Sequence, residues 1–218
     1  MKPILLIAAS GLAREVLSSI RQTGRHEVTG FLDDDASLHG TTIAGIPVLG
    51  APELARERGE DLLLCAGAGR VREQIAGRLG AAGVTEDRFA VHVDRTAAIG
   101  ERVTLGPGTV ILAGCVLTCD ISIGTHGVLM PRVVLTHDDA AGDFVTLTAG
   151  VAVGGRVTIG RGAYLGQNAS VRQDVRIGAE STLGMGAVLV ADLPPGQTWV
   201  GNPARPLHSP TMRKVAAL

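Results

Sequence analysis

The chain has 218 residues, 45% of them apolar but only 2% aromatic, so whatever core it buries is built from aliphatic side chains and alanine. Its 20 Lys and Arg against 21 Asp and Glu leave a net charge of −1, no electrostatic footprint for nucleic acid or an anionic membrane. Met1-Lys2-Pro3 leads into a short apolar stretch without a signal-peptide cleavage pattern, and no apolar run approaches the ~20 residues of a membrane span, so a soluble cytoplasmic protein is expected.

Pro3 to Ala9 reads as a buried strand, and Ser10-Gly11-Leu12-Ala13-Arg14-Glu15 as a turn opening a helix to about Arg21. Backbone N–H groups at such a turn can meet an anion. Ala8-Ala9-Ser10-Gly11 is not GxGxxG, however, and fits an ordinary turn capped by Ser10 equally well. Val28 to Leu32 forms a second strand that ends in Asp33-Asp34-Asp35. Carboxylates there are where a Rossmann-type unit holds a polar group of its ligand, a solvated turn being the competing reading. Asp61 to Ala66 supplies another strand, followed by Gly67-Ala68-Gly69 and a helix from about Arg70 to Ala82. Residues 1–90 are therefore expected to be a small, mostly parallel, Rossmann-like α/β domain with two small-residue turns at one sheet edge.

From Val93 to Leu189 every sixth residue is aliphatic, and sixteen of these seventeen positions are Ile, Leu or Val. A period of six fits neither a helix nor an alternating strand and signals a parallel β-helix. The following residue is Gly in nine units, read as tight corners, and the fourth is usually small or β-branched, as at Ala97, Cys115, Val151 and Ala187. Three units close one coil, so residues 18 apart should stack at about the inter-strand spacing of ~4.8 Å. The β-helix is assigned to 91–192 and a C-terminal tail to 193–218.

The repeat is broken once. Between Leu135 and Ala141 stand Thr136-His137-Asp138-Asp139, with Asp139 where a small inward residue belongs. A local breach in a consistent pattern is where function is expected. The 18-residue period puts His137 above Cys119 and below Gly155, and Asp138 between Asp120 and Arg156. A His beside a carboxylate can remove a proton near neutral pH. Cys119 beneath it could instead be an acyl-accepting thiol. Only His126 and His137 lie in the repeat, out of register with each other, so no metal site is expected. Cys65, Cys115 and Cys119 form no zinc or CxxC spacing and read as apolar fillers.

The hexad array, with Val200-Gly201-Asn202-Pro203-Ala204-Arg205 after it, resembles the left-handed β-helix acyltransferases. Ala9-Ser10-Gly11, Phe31-Leu32-Asp33-Asp34, Gly67, and His137-Asp138 followed by Gly142-Asp143-Phe144 resemble one subgroup, the bacterial nucleotide-sugar N-acetyltransferases and related sialic-acid O-acetyltransferases of surface-glycan pathways. That resemblance implies a homotrimer using acetyl-CoA, with His137 as general base and Asp138 orienting it. It also implies that the Gly155 N–H meets the thioester carbonyl, that the CoA lies between subunits near Gln167 and Met185, and that Ser10, Gly11, Asp33, Asp34 and Gly67 hold the nucleotide-sugar. Two positions depart from the subgroup: Leu12 stands where relatives often have His and is carried over only as a contact, and Thr146 stands where a second His lies near the cofactor. Sugar O-acetylation and a non-catalytic nucleotide-binding trimeric scaffold are the alternative functions.

Overall fold

The computed structural model of the chain describes residues 1–207. Strands β1 (Lys2–Ile7), β2 (His26–Leu32), β3 (Thr42–Ile43), β4 (Ile46–Gly50) and β5 (Asp61–Leu64) form one sheet in the order β3-β4-β2-β1-β5. All neighbours are parallel except the β3/β4 hairpin. Successive side chains of β1 point to opposite faces. Ile4 and Leu6 join Val16, Leu17 and Ile20 of helix α1 (Gly11–Thr23), while Leu5 and Ile7 join Ile75 and Leu79 of helix α2 (Gly69–Ala81). Ser10 starts α1 by accepting the Ala13 N–H at 3.2 Å, and Gly24, at φ 64°, ends it. The sequence pattern assigned no strand to the hairpin, whose one signal is Ala44-Gly45 between two isoleucines. Both residues are left-handed, as a two-residue hairpin turn requires.

From His92 the chain winds as a parallel β-helix of triangular section, its two-residue strands stacked into three sheets. Residues 18 apart pair, as in Val116↔Val134, Ser122↔Ala140 and Val128↔Thr146. The inward rows, among them Ile111, Leu117, Leu129, Leu147, Leu165 and Leu183, make a continuous aliphatic core.

The glycines following these aliphatic residues have a different cause from the one expected. The left-handed turn residue comes two places later, for example Asp120, Asp138, Phe144, Arg156 and Asp174 at φ 56–63°. Gly142, Gly154 and Gly160 are required because a Cβ there would lie 2.4–2.8 Å from backbone nitrogen of the coil above. The stack also runs past its last hexad. Leu193, 1% exposed, bridges Ile177, and Thr198–Val200 pairs with Thr182–Leu183, so the start of the expected tail adds a partial coil. Residues 208–218 of that tail lie outside the described residues.

The α/β domain sits on the lower half of one face of the prism. Val110, Leu112 and Val128 project from that face into the α1 side of its core. The joint is fixed by Arg72 of α2, which the sequence did not single out, although it shares a helical stripe with buried Ile75 and Leu79. Its guanidinium is fully buried, and among the described residues its partners are carbonyls and a hydroxyl rather than a carboxylate. Nε donates to the His126 carbonyl at 2.9 Å, Nη1 to those of Ala66 and Gly67 at 2.9 Å, and Nη2 to those of Phe144 and Val145 and to Thr146 Oγ1 at 2.8–3.1 Å. Burial lowers its pKa to about 10, so it stays charged at neutral pH. Beside it, Gly69 admits no side chain, since a Cβ would stand 2.0 Å from the Phe144 carbonyl oxygen.

Arg72→Met keeps the stem but leaves the Ala66, His126 and Phe144 carbonyls without a donor among the described residues. It should cost about 3–5 kcal/mol, or roughly 10 °C in Tm for a chain of this size, read by thermal melting; an unchanged Tm would show that the joint does not depend on the guanidinium. His92 and His126, 2% and 0% exposed, are each pushed down to about 4 by burial. The unfolded chain protonates them near 6.5 and the folded chain only near 4, so stability falls as pH drops through that window, by at most roughly 3 kcal/mol per residue. Asp139, raised to about 6 by burial, works in the opposite direction. Two groups against one predict a Tm that falls from pH 7 to pH 5; a flat or rising Tm would contradict this balance.

Candidate active site

The three turns expected to hold a nucleotide-sugar meet at the carboxyl edge of β1, β2 and β5. Ser10 Oγ donates to the Cys65 carbonyl at 2.6 Å, and the Ala9 N–H donates to Asp33 Oδ2 at 2.6 Å. Asp33 Oδ1 also takes the Asp35 N–H at 2.8 Å. β1 has β2 on one side and β5 on the other, the point in an open sheet where a crevice forms. Among the described residues the N–H groups of Gly11 and Leu12, in the first turn of α1, donate to nothing. Asp34 stands apart, its carboxylate clamped by Arg78 at 2.8 and 2.9 Å.

The side chains of two expected contact residues point elsewhere. The Leu12 side chain, 6% exposed, is in the domain core among Ile4, Leu6 and Val16, and cannot reach a ligand at the edge. Thr146, 1% exposed, spends its hydroxyl at the domain joint: it donates to the Gly67 carbonyl at 2.9 Å and accepts from Arg72, which leaves nothing facing a cofactor.

His137 and Asp138 occupy the edge between the two prism faces that the α/β domain does not cover. The turn carries them outward, each about half exposed, because Asp138 takes the left-handed conformation. His137 Nδ1 lies 2.7 Å from Asp138 Oδ2, which points Nε2 away from the carboxylate. The ring lies on Gly155, where a Cβ would be 2.5 Å from Nε2 and Cε1. Any other residue there would displace the imidazole. Along the same edge Arg102 grips Asp120 at 2.5 and 2.7 Å, and Arg156 grips Asp174 at 2.6 and 3.0 Å. Each arginine holds its aspartate's carboxyl below the usual range. Asp138, between the two pairs, is left to the imidazole.

Above the α/β domain the covered face opens into a groove of about 850 Å³, lined by Glu15 of α1, Met130, Tyr164, Leu183 and, in one column, Gln167 and Met185. An adjoining recess of about 360 Å³ shares Glu15, Met130 and Gln167 and runs down to Ser19 and Asp94. There Ser19 Oγ donates to Asp94 Oδ2 at 2.5 Å and lies 2.7 Å from His92 Nε2. A serine that gives its proton to the carboxylate is not activated by the imidazole, so this cluster braces α1 rather than forming a nucleophile. Cys65 and Cys115 are buried fillers, their thiols raised by burial to about 12 and 11. Among the described residues no His, Cys, Asp and Glu cluster could hold a metal, and no helix is long and apolar enough to cross a membrane.

Residues 3–79 match the family described as the PglD N-terminal domain. WeeI from Acinetobacter baumannii AYE is 30% identical over 95% of this chain and 100% of its own, with a TM-score of 0.84. The acetyltransferase domain of PglB from Neisseria gonorrhoeae FA1090 is 26% identical over 95% and 100%, with a TM-score of 0.85. The GDP-perosamine N-acetyltransferase PerB from Caulobacter crescentus, crystallised with CoA and GDP-perosamine, is 27% identical over 95% and 98%, with a TM-score of 0.84. Among curated proteins, the acyl-(acyl-carrier-protein):UDP-N-acetylglucosamine O-acyltransferase of Burkholderia thailandensis is 38% identical over 109 residues. This chain spans only 42% of that relative's length. The stacked prism, the α/β domain on its face and the similarity to WeeI over almost the entire length establish that the chain belongs to the hexapeptide-repeat, left-handed β-helix acyltransferases.

Proposed function

We propose that this chain is a cytoplasmic, acetyl-CoA-dependent N-acetyltransferase acting on the amino group of a nucleotide-linked amino sugar for surface-glycan synthesis. The observation that carries the reading is the His137–Asp138 pair with its ring on Gly155. With Nδ1–H held by Asp138, the Nε2 lone pair is free to accept a proton from the amine as its nitrogen attacks the thioester carbonyl. Asp138 stabilises the imidazolium that forms. Negative charge grows on the carbonyl oxygen, where the Gly155 N–H, which has no acceptor among the described residues, is available to it. Collapse breaks the C–S bond, and the thiolate takes the proton from His137. The thin groove beside Gln167 and Met185, with apolar Met130 and Leu183, suits an acyl-pantetheine arm. The free N–H groups of Gly11 and Leu12 suit a diphosphate, with Asp33 and Gly67 at the same crevice.

The partner that completes the site is a second copy, in a homotrimer. His137 projects from the edge opposite the face that carries the α/β domain and the groove, so one chain does not bring them together. The outward row of the face next to His137, Ala98, Val116, Val134, Ala152, Ser170 and Val188, holds no charge and suits burial against a neighbour. Transfer to a sugar hydroxyl is the second reading, favoured by the 38% identity to an O-acyltransferase over 109 residues.

Incubation with acetyl-CoA and a panel of nucleotide amino sugars should release CoA with an N-acetylated product, and His137→Ala should lower kcat/KM by about 10²–10⁴-fold. Acetylation of sugars lacking an amine would favour the hydroxyl reading, while ligand binding without CoA release from any sugar would reduce the chain to a scaffold. Sedimentation at micromolar concentration should give a trimer; a monomer would undo the shared site.

A further inference from the structure

Asp139 is not part of the proton-transfer pair, yet it is the residue that breaks the repeat. It lies inside the coil, 2% exposed, in a row that reads Val103, Ile121, Val157 and Val175 along the same edge. One and two coils higher, the residue after the inward aliphatic one donates its N–H up the stack, Gly154 to the Val171 carbonyl and Arg172 to the Leu189 carbonyl, both at 2.9 Å. Thr136 does not. Its N–H donates to Asp139 Oδ2 at 3.0 Å, and its hydroxyl takes over the Val153 carbonyl at 3.1 Å. From above, the Val157 N–H comes down to Asp139 Oδ1 at 2.9 Å. The rung beneath, from the Asp138 N–H to the Cys119 carbonyl, is 3.3 Å, against 3.0 Å for Asp120 on Glu101 and 2.9 Å for Arg156 on His137.

We propose that Asp139 is a positioning residue: its carboxylate holds the Thr136–Asp138 turn off the regular rung and so sets where the His137 imidazole sits over Gly155. The effect on turnover rests on the acyl-transfer reading above, while the effect on the turn rests on these hydrogen bonds alone. An inward carboxylate is a poor choice for stability. Burial raises it to about 6, and it faces His137 and Asp138 on its own turn, Asp120 paired with Arg102 below and Arg156 paired with Asp174 above. Valine, the residue of the neighbouring coils, would free Thr136 N–H to make the regular ladder bond. Keeping the aspartate is a stability concession of the sort found beside functional groups.

The test is Asp139→Val in the full chain. The melting temperature should equal or exceed the parent's, kcat should fall at least about tenfold with KM for acetyl-CoA within about twofold, and the His137 ring resonances should titrate at a different pH by NMR. Asp139→Asn, which keeps one acceptor, should fall between parent and Asp139→Val in both readouts. A Val variant with parental kcat and an unmoved His137 titration overturns the proposal. So does one that melts far below the parent while the Asn variant keeps parental kcat, because Asp139 is then only core structure. If the parent transfers no acyl group to any sugar, the acyl-transfer reading fails and the NMR titration still decides: a moved His137 supports positioning, an unmoved one overturns it.

Discussion

The structure depends on one constraint, that each six-residue unit must land its aliphatic side chain directly over that of the unit 18 residues earlier. Strands of two residues have too few hydrogen bonds to persist alone, and each is stable only because the coil above and below completes its ladder and covers its side chain. That requirement explains the glycine row, where backbone of the next coil passes too close for a Cβ, and the left-handed turn residues that let the chain change face. It also makes the edges of the prism stiff, and a stiff edge can hold an imidazole over a glycine without further support from a loop.

The α/β domain is tied to this prism by a charge rather than by apolar contact alone. Arg72 gathers carbonyls from the Gly67 turn and from the coil at His126 and Phe144, so that turn and the stack are parts of one hydrogen-bonded unit. A buried guanidinium with acceptors on both sides fixes orientation because any rotation between the domains strands several acceptors at once. The groove beside Gln167 and Met185 then has a fixed wall in α1.

Much of this was legible in the sequence. The sixfold beat identified the coil, its register and the stacking of His137 on Gly155, since period converts directly into position. The order of β1, α1, β2, β5 and α2 likewise followed from apolar runs and their punctuation. What escaped had no periodic signature. Arg72 looks like its neighbour Arg70 until the helix face is known, and the β3/β4 hairpin is too short for alternation to show. Leu12 and Thr146 were carried over from a likeness to relatives, but a leucine at that point in α1 packs into the core, and the threonine hydroxyl is used where the domains meet. The breach at Asp139 was visible as a wrong residue type; only the structure shows the backbone N–H groups of Thr136 and Val157 converging on it.

The central claim is that the imidazole of one copy works in the crevice of the next. A mixed oligomer tests it most directly. Gly11→Glu puts a carboxylate where the diphosphate would sit, at a position whose Cβ meets only the Arg14 guanidinium at 4.0 Å, and His137→Ala removes the base. Each variant alone should be inactive. Equal co-expression should restore roughly a quarter of parental turnover, because a quarter of the shared sites in a random trimer draw both intact parts. A mixture no more active than the two single variants would contradict the account.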